Sequence, residues 1–254
     1  MAITNSLEKF FKWLLLISLI VMTGTYFFKD KLPEPSSYDL SLLKDPKQTA
    51  TSLAKFTTEV NGEKYVIEPK YDYELSGVIV SYNNSDGFGD IWHHDRWKDF
   101  INLRDLCVVW GNNVASGVYE KMKFSNDSWT CWAFWPDAAT GEQFTMAQLS
   151  NNHLLSNDAV INRALMAAEP GDHIRLKGAL ATYSNPGNGF HRGTSTVRTD
   201  TGNGACETIY VQDFQILKKA NMGARRLYNT AKWTGIISLS GFLLMFVIAP
   251  VRIR

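Results

Sequence analysis

The residues best able to do chemistry lie in two long, polar, loop-like stretches. The segment 184–207 reads SNPGNGFHRGTSTVRTDTGNGACE and carries His191, Arg192, Arg198, Asp200 and Cys206. Asp200-Thr201-Gly202 matches the short signature of aspartic proteases, whose chemistry needs two carboxylates sharing one proton. A single copy would have to dimerise. Val197-Arg198-Thr199 also stands where an apolar run is expected, so a turn is the plainer reading. Cys206 and His191 are the material of a nucleophile and its base, but nothing in the spacing fixes their geometry.

The second stretch, 83–105, holds Trp92, His93, His94, Trp97 and Phe100 among Asp86, Asp90, Asp95 and Asp99. Histidines beside carboxylates invite a metal. However, no H-x-x-x-H or C-x-x-C spacing is present, and the calcium-loop pattern fails. No metal and no cofactor is expected. Residues 149–158 (LSNNHLLSND) are polar around His153 and read as the approach to a helix, capped by Ser156, Asn157 or Asp158. There is no G-x-S-x-G, Walker loop or G-x-G-x-x-G fingerprint, so an enzymatic role lacks strong support.

Such loops need a scaffold, and the apolar pattern supplies one. Strands are predicted at Tyr73–Tyr82, Leu106–Trp110, Trp129–Trp135, His173–Tyr183 and Thr208–Leu217, with a helix over Ser156–Glu169. Asn61-Gly62, between Phe56–Val60 and Lys64–Ile67, signals a type I′ hairpin. Trp129–Trp135 (WTCWAFW) is apolar on both faces, so both faces should be covered. Gly77 and Gly178 fall mid-strand, where a small barrel bends. The order β-β-β-α-β-β fits a mainly β, α+β domain: an OB-like five-stranded barrel. In that fold ligands meet strands two and three and the loops joining strands one–two and four–five. The candidate ligand or partner contacts are therefore Trp92, His94, Trp97, Arg192, Arg198 and Asp200.

Two uncharged runs bracket this domain: Trp13–Phe28 and Trp233–Val251. At roughly 16–19 residues each is close to the minimum for crossing a hydrocarbon core. No A-x-A-like cleavage site follows the first, which reads as a retained signal anchor. The organisation expected is a tail (1–12), a first span (13–28), a Pro-containing linker (29–55), the OB-like domain (56–217), a basic juxtamembrane segment (218–232), a second span (233–251) and a short tail (252–254). Thr234, Ser238 and Gly241, with Ser18 and Gly24 in the first span, offer small residues for helix pairing.

The formal charge of +1 hides an asymmetry. Between Leu32 and Leu217 stand 15 Lys/Arg and 23 Asp/Glu, a balance of −8. An acidic domain disfavours nucleic acid as a partner. Lys218, Lys219, Arg225, Arg226 and Lys232 cluster before the second span and are candidates for lipid-headgroup contact. Counting positive charges alone puts the domain in the cytoplasm, whereas an N-in first helix puts it outside; the second reading is preferred. Cys107 and Cys131 form a disulfide in an oxidising compartment or stay buried as free thiols.

The stretches YDYELSGVIVS (71–81), DLCVVWG (105–111), LSNNHLL (149–155), GDHIRLKGALATY (171–183) and RGTSTVRTDTGNGACE (192–207) resemble those of a group of bacterial membrane-anchored proteins with no established activity. The resemblance implies a bacterial inner-membrane protein with 192–207 as a signature element, and assigns no site. The function expected is a non-enzymatic binding or assembly module of a membrane complex, with a membrane-protein partner or a second copy of the chain. The alternatives are a tethered hydrolase using Asp200 or Cys206, and a sensor of a small polar or glycan ligand.

Overall fold

The computed structural model describes residues 2–86, 91–200 and 205–248. The chain divides into two compact units, residues 1–31 with 221–254, and residues 32–220.

The first unit is a pair of helices, α1 (Ala2–Lys29) and, last in the chain, α6 (Met222–Ile248). Both are long and apolar enough to cross a membrane. They run antiparallel. Ser18 meets Gly235, Phe11 covers Gly241, and Tyr26 meets Tyr228 with ring centroids 6.4 Å apart. Ser18 and Ser238 are buried in the seam, where small side chains let two backbones approach. Gly24 has nothing near its Cβ position and takes no part. Helix α6 begins eleven residues before the apolar run read from sequence, so Arg225, Arg226 and Lys232 sit on its first turns. Residues 249–251 of the expected second span, and the tail after them, lie outside the described residues.

The second unit is α+β with a mixed sheet. In chain order its elements are β1 (Lys47–Ala50), β2 (Phe56–Val60), β3 (Glu63–Asn84), α2 (Ile91–Asp95), β4 (Asn102–Val109), α3 (Gly111–Ala115), β5 (Lys123–Asn126), β6 (Cys131–Phe134), α4 (Ala138–Gln143), β7 (Leu149–Leu155), α5 (Ala159–Met166), β8 (His173–Asn185), β9 (Phe190–Arg192) and β10 (Glu207–Lys218). Five strands pair in a ring: β3 with β4, β4 with β7, β7 with β10, β10 with β8, and β8 back with β3. Only β7–β10 is parallel. Strand β3 serves two neighbours, pairing with β8 from Val66 to Val78 and with β4 from Val78 to Asn84. At the changeover sits Gly77, where a Cβ would lie 2.9 Å from the Val109 carbonyl oxygen. A Cβ at Gly178 would collide with the Tyr210 carbonyl oxygen. Both glycines are there because another backbone comes close.

Inside the ring Leu75, Val78, Leu106, Val108, Leu154, Ile174, Leu176 and Ile209 are fully buried, and α5 adds Leu165. Asp158 caps α5, accepting from the Val160 and Ile161 amides. The Asn61-Gly62 hairpin forms as expected, with φ of 51° and 80°. The Pro-containing stretch before β1 buries Tyr38 and Leu43, and β1 pairs with β3.

The third strand of the ring is not where the apolar pattern puts it. It is β7, LSNNHLL, all seven residues buried. Trp129–Trp135 instead contributes β6, which among the described residues pairs only with β5, in a separate two-stranded hairpin. Trp132 and Phe134 face solvent there, so one face of that strand stays uncovered. Hydropathy ranks WTCWAFW as core and LSNNHLL as loop because it cannot see which polar side chains will find partners inside the fold. Asn152 donates to the Leu106 carbonyl (3.0 Å) and to Ser150 Oγ (2.8 Å), and Asn151 accepts from Asn126 (2.8 Å).

Candidate functional site

The β5–β6 hairpin is fixed by covalent and polar contacts. A disulfide joins Cys131 on β6 to Cys107 on β4, with Cα atoms 5.8 Å apart. At the turn, Asp127 accepts hydrogen bonds from the Trp129 and Thr130 amides and from the Trp132 indole N–H, each at 2.8 Å. Partial burial pushes its carboxyl up, but these three donors more than offset that and hold it below the usual carboxylate range. One carboxylate thus sets both the turn and the Trp132 ring.

Facing the hairpin is the segment after β9. Its two ends are tied together: Ser195 N–H donates to the Cys206 carbonyl (2.9 Å), and the Thr208 hydroxyl donates to the Gly193 carbonyl (2.7 Å). Within it Ser195 Oγ–H donates to Asp200 (2.6 Å). Arg198 bonds Tyr73 Oη (2.9 Å) and pairs with Glu207. Burial pushes the Glu207 carboxyl up to about 7 against the pull of Arg198.

Between hairpin and segment lies a cleft of about 650 Å³, floored by Ser150, Asn151 and His153 of β7. Trp129 and Trp132 stand on one wall, each about half exposed. Arg192, from β9, sets its guanidinium carbon 4.4 Å from the Trp129 ring centre and donates to the Ser128 carbonyl. Cys206 also lines the cleft; its thiol donates to the Trp129 carbonyl (3.4 Å), and burial pushes it up from the usual thiol range.

Behind the floor runs a buried polar network. His93 Nε2 lies 3.0 Å from Asp99, which also accepts from Tyr183 Oη (2.6 Å). Asn102 donates to Asp105 (3.1 Å). His153 Nδ1 lies 2.8 Å from Asp105 Oδ1, within ion-pair range but off the line of a hydrogen bond. Burial lowers the affinity of His153 for a second proton, opposed by Asp105, and the net direction is down. The ring is therefore neutral near pH 7. Arg192 has the opposite balance. Burial disfavours its charge, but Tyr183, Asp105 and Asp99 outweigh burial and raise its proton affinity.

The residues singled out from sequence fall into three places. Arg192, Arg198 and Asp200 line the cleft. Trp97 adjoins it, its ring centre 5.0 Å from that of Trp129 and 5.9 Å from that of Phe190. His94 packs instead on Phe100 (4.8 Å). Trp92 belongs to α2, but its side chain lies outside the described residues, as do Thr201 and Gly202. His153, Trp129 and Trp132 also line the cleft and Asp127 orients Trp132, and none of the four is among the candidate contacts named from sequence. The signal that was present is LSNNHLL, a polar run bounded by leucines. Of the basic cluster, Lys218 bonds the Ser37 carbonyl, Lys219 the Ala167 carbonyl and Arg225 the Lys29 carbonyl. Among the described residues no group of three or more His, Cys, Asp or Glu is arranged to hold a metal.

No family model, curated protein or solved structure matches this chain.

Proposed function

We propose that this chain is a membrane-tethered, non-enzymatic binding module built on an OB-like barrel, with the cleft as its contact surface. One observation carries the reading. The cleft is floored by β7, third strand of the ring, and walled by the segment joining β8 to β10, fourth and fifth. Trp97, from the connection between the first and second strands, adjoins it. Those are the surfaces an OB-fold uses for ligands. The ring closure, the single parallel pair and the position of α5 between strands three and four support the OB-like assignment.

Two apolar helices support tethering at a bilayer. The disulfide supports placing the domain on the oxidising, extracytoplasmic side. The chemistry around Cys206 supports binding over hydrolysis. Its thiol is pushed up by burial and donates to a carbonyl instead of to a base. Asp200 is engaged by Ser195.

The test is a photo-crosslinking residue placed at Trp132, in the cleft wall, or at Val160, exposed on α5, in the full chain in native membranes. Adducts from position 132 and none from 160 are expected. Equal labelling from both positions, or none from 132, would remove the cleft as a contact surface.

A further inference from the structure

We infer that the cleft takes an uncharged oligosaccharide, with one sugar ring stacked on Trp132 beside Trp129. The inference rests on the cleft being the contact surface.

The charged groups of the cleft wall are either bonded to neighbours or buried. Arg198 is held by Glu207 and Tyr73. Arg192 is held against the Trp129 ring and Ser128, in the field of Asp99 and Asp105; its Nε and Nη1 are buried from solvent, without a hydrogen-bond partner among the described residues. Asp200 takes the Ser195 hydroxyl on one oxygen, and its other oxygen is buried without a hydrogen-bond partner among the described residues. No guanidinium fork is presented to an incoming carboxylate or phosphate, as anion recognition requires. The balance of −8 between Leu32 and Leu217 adds long-range repulsion of polyanions.

The most exposed large side chains lining the cleft are two tryptophans. Trp129 and Trp132 are 47% and 49% exposed, which leaves much indole surface in water. Both are held before any ligand arrives, Trp132 by Asp127, and Trp129 by Arg192 and Trp97. A rigid ring costs little entropy on binding. Around them stand the partly exposed hydroxyls of Thr130 and Thr194, above a floor in which Ser150 and His153 are buried. A pyranose carries an axial C–H face for the indole and equatorial hydroxyls for such groups. An acyl chain would cover the Thr130 hydroxyl without pairing it, at a desolvation cost. OB-fold surfaces hold oligonucleotides and oligosaccharides, and the acidity of this domain argues against the first.

The experiment uses the full chain in sugar-free lipid nanodiscs on an array of neutral and acidic oligosaccharides, with calorimetry on the strongest neutral ligand. Binding of at least one neutral glycan is expected. Trp132→Ala should weaken it about tenfold or more, and Asp127→Ala should weaken it less. Trp135→Ala, an equally exposed tryptophan that does not line the cleft, should leave it unchanged. Binding of acidic glycans alone, of no glycan, or equal loss in the Trp132 and Trp135 variants would overturn the inference. If adducts still form from position 132 in membranes, such a result removes only the saccharide. If they do not, the contact surface goes with it.

Discussion

Arg192 and Trp129 are stacked, guanidinium carbon to ring centre 4.4 Å, and the pair joins the buried network to the open cleft. The guanidinium feels the buried Asp99, Asp105 and Tyr183, and it stacks on an indole that is 47% exposed. A cation over an indole face gains more as water is excluded. This pair therefore couples the shape of the cleft wall to the charge behind it.

Removing the cation should be costly. Arg192→Ala leaves two buried carboxylates without their positive neighbour, a loss of about 3 kcal/mol or more. Arg192→Lys keeps the charge but forfeits the flat stacking group, so it should lose less. Thermal unfolding of the three proteins in nanodiscs checks the order. A wild-type-like Tm for Arg192→Ala would refute it.

Glu207 should make stability depend on pH. Its folded pKa, about 7, lies above the ordinary 4.5. The folded state therefore binds the proton more tightly. The stabilisation is fully present below about pH 4.5 and is lost as pH rises through about 7. His153, with a lowered pKa, acts in the other sense: its contribution is present above about pH 6.5 and falls away in acid. The two overlap, so the difference between Glu207→Gln and wild type isolates the first. That difference should move in favour of the variant from pH 4.5 to 7. A pH-independent difference would contradict the assignment.

The disulfide should matter to the hairpin more than to the ring. Cys107 and Cys131 are 24 residues apart, and closing such a loop contributes about 3 kcal/mol. Cys131→Ser should therefore lower Tm and speed amide exchange across 123–134, while β8 and β10 stay protected. Alkylation of wild type without reductant should modify one cysteine of three, Cys206.

Gly178 should tolerate no side chain. A methyl there meets the Tyr210 carbonyl oxygen on the neighbouring strand, backbone that can yield only by opening the β8–β10 ladder. Gly178→Ala should cost about 3 kcal/mol, at the upper end for overpacking. Gly24→Ala, with open space around it, is the matched control and should change Tm little.

The linear pattern by itself determined the two apolar helices, the Asn61-Gly62 hairpin, the α5 cap region and four of the five ring strands. Each is a local signal: a long uncharged run, a turn dipeptide demanding positive φ, or apolar residues at the period of a strand. The stretch carrying Arg192, Arg198 and Asp200 was also legible as a connection, because a long Gly- and Asn-rich segment between two strands announces a loop at one end of a sheet. Only the tertiary structure decided the third strand. Seven buried residues of β7 include Ser150, Asn151, Asn152 and His153, and burial of such groups is favourable only once distant partners such as Asn126 and Leu106 are in place. The tertiary structure also turned WTCWAFW outward. A disulfide and one aspartate hold that hairpin in a position where its tryptophans line a cleft, and no count of hydrophobicity along the chain contains that information.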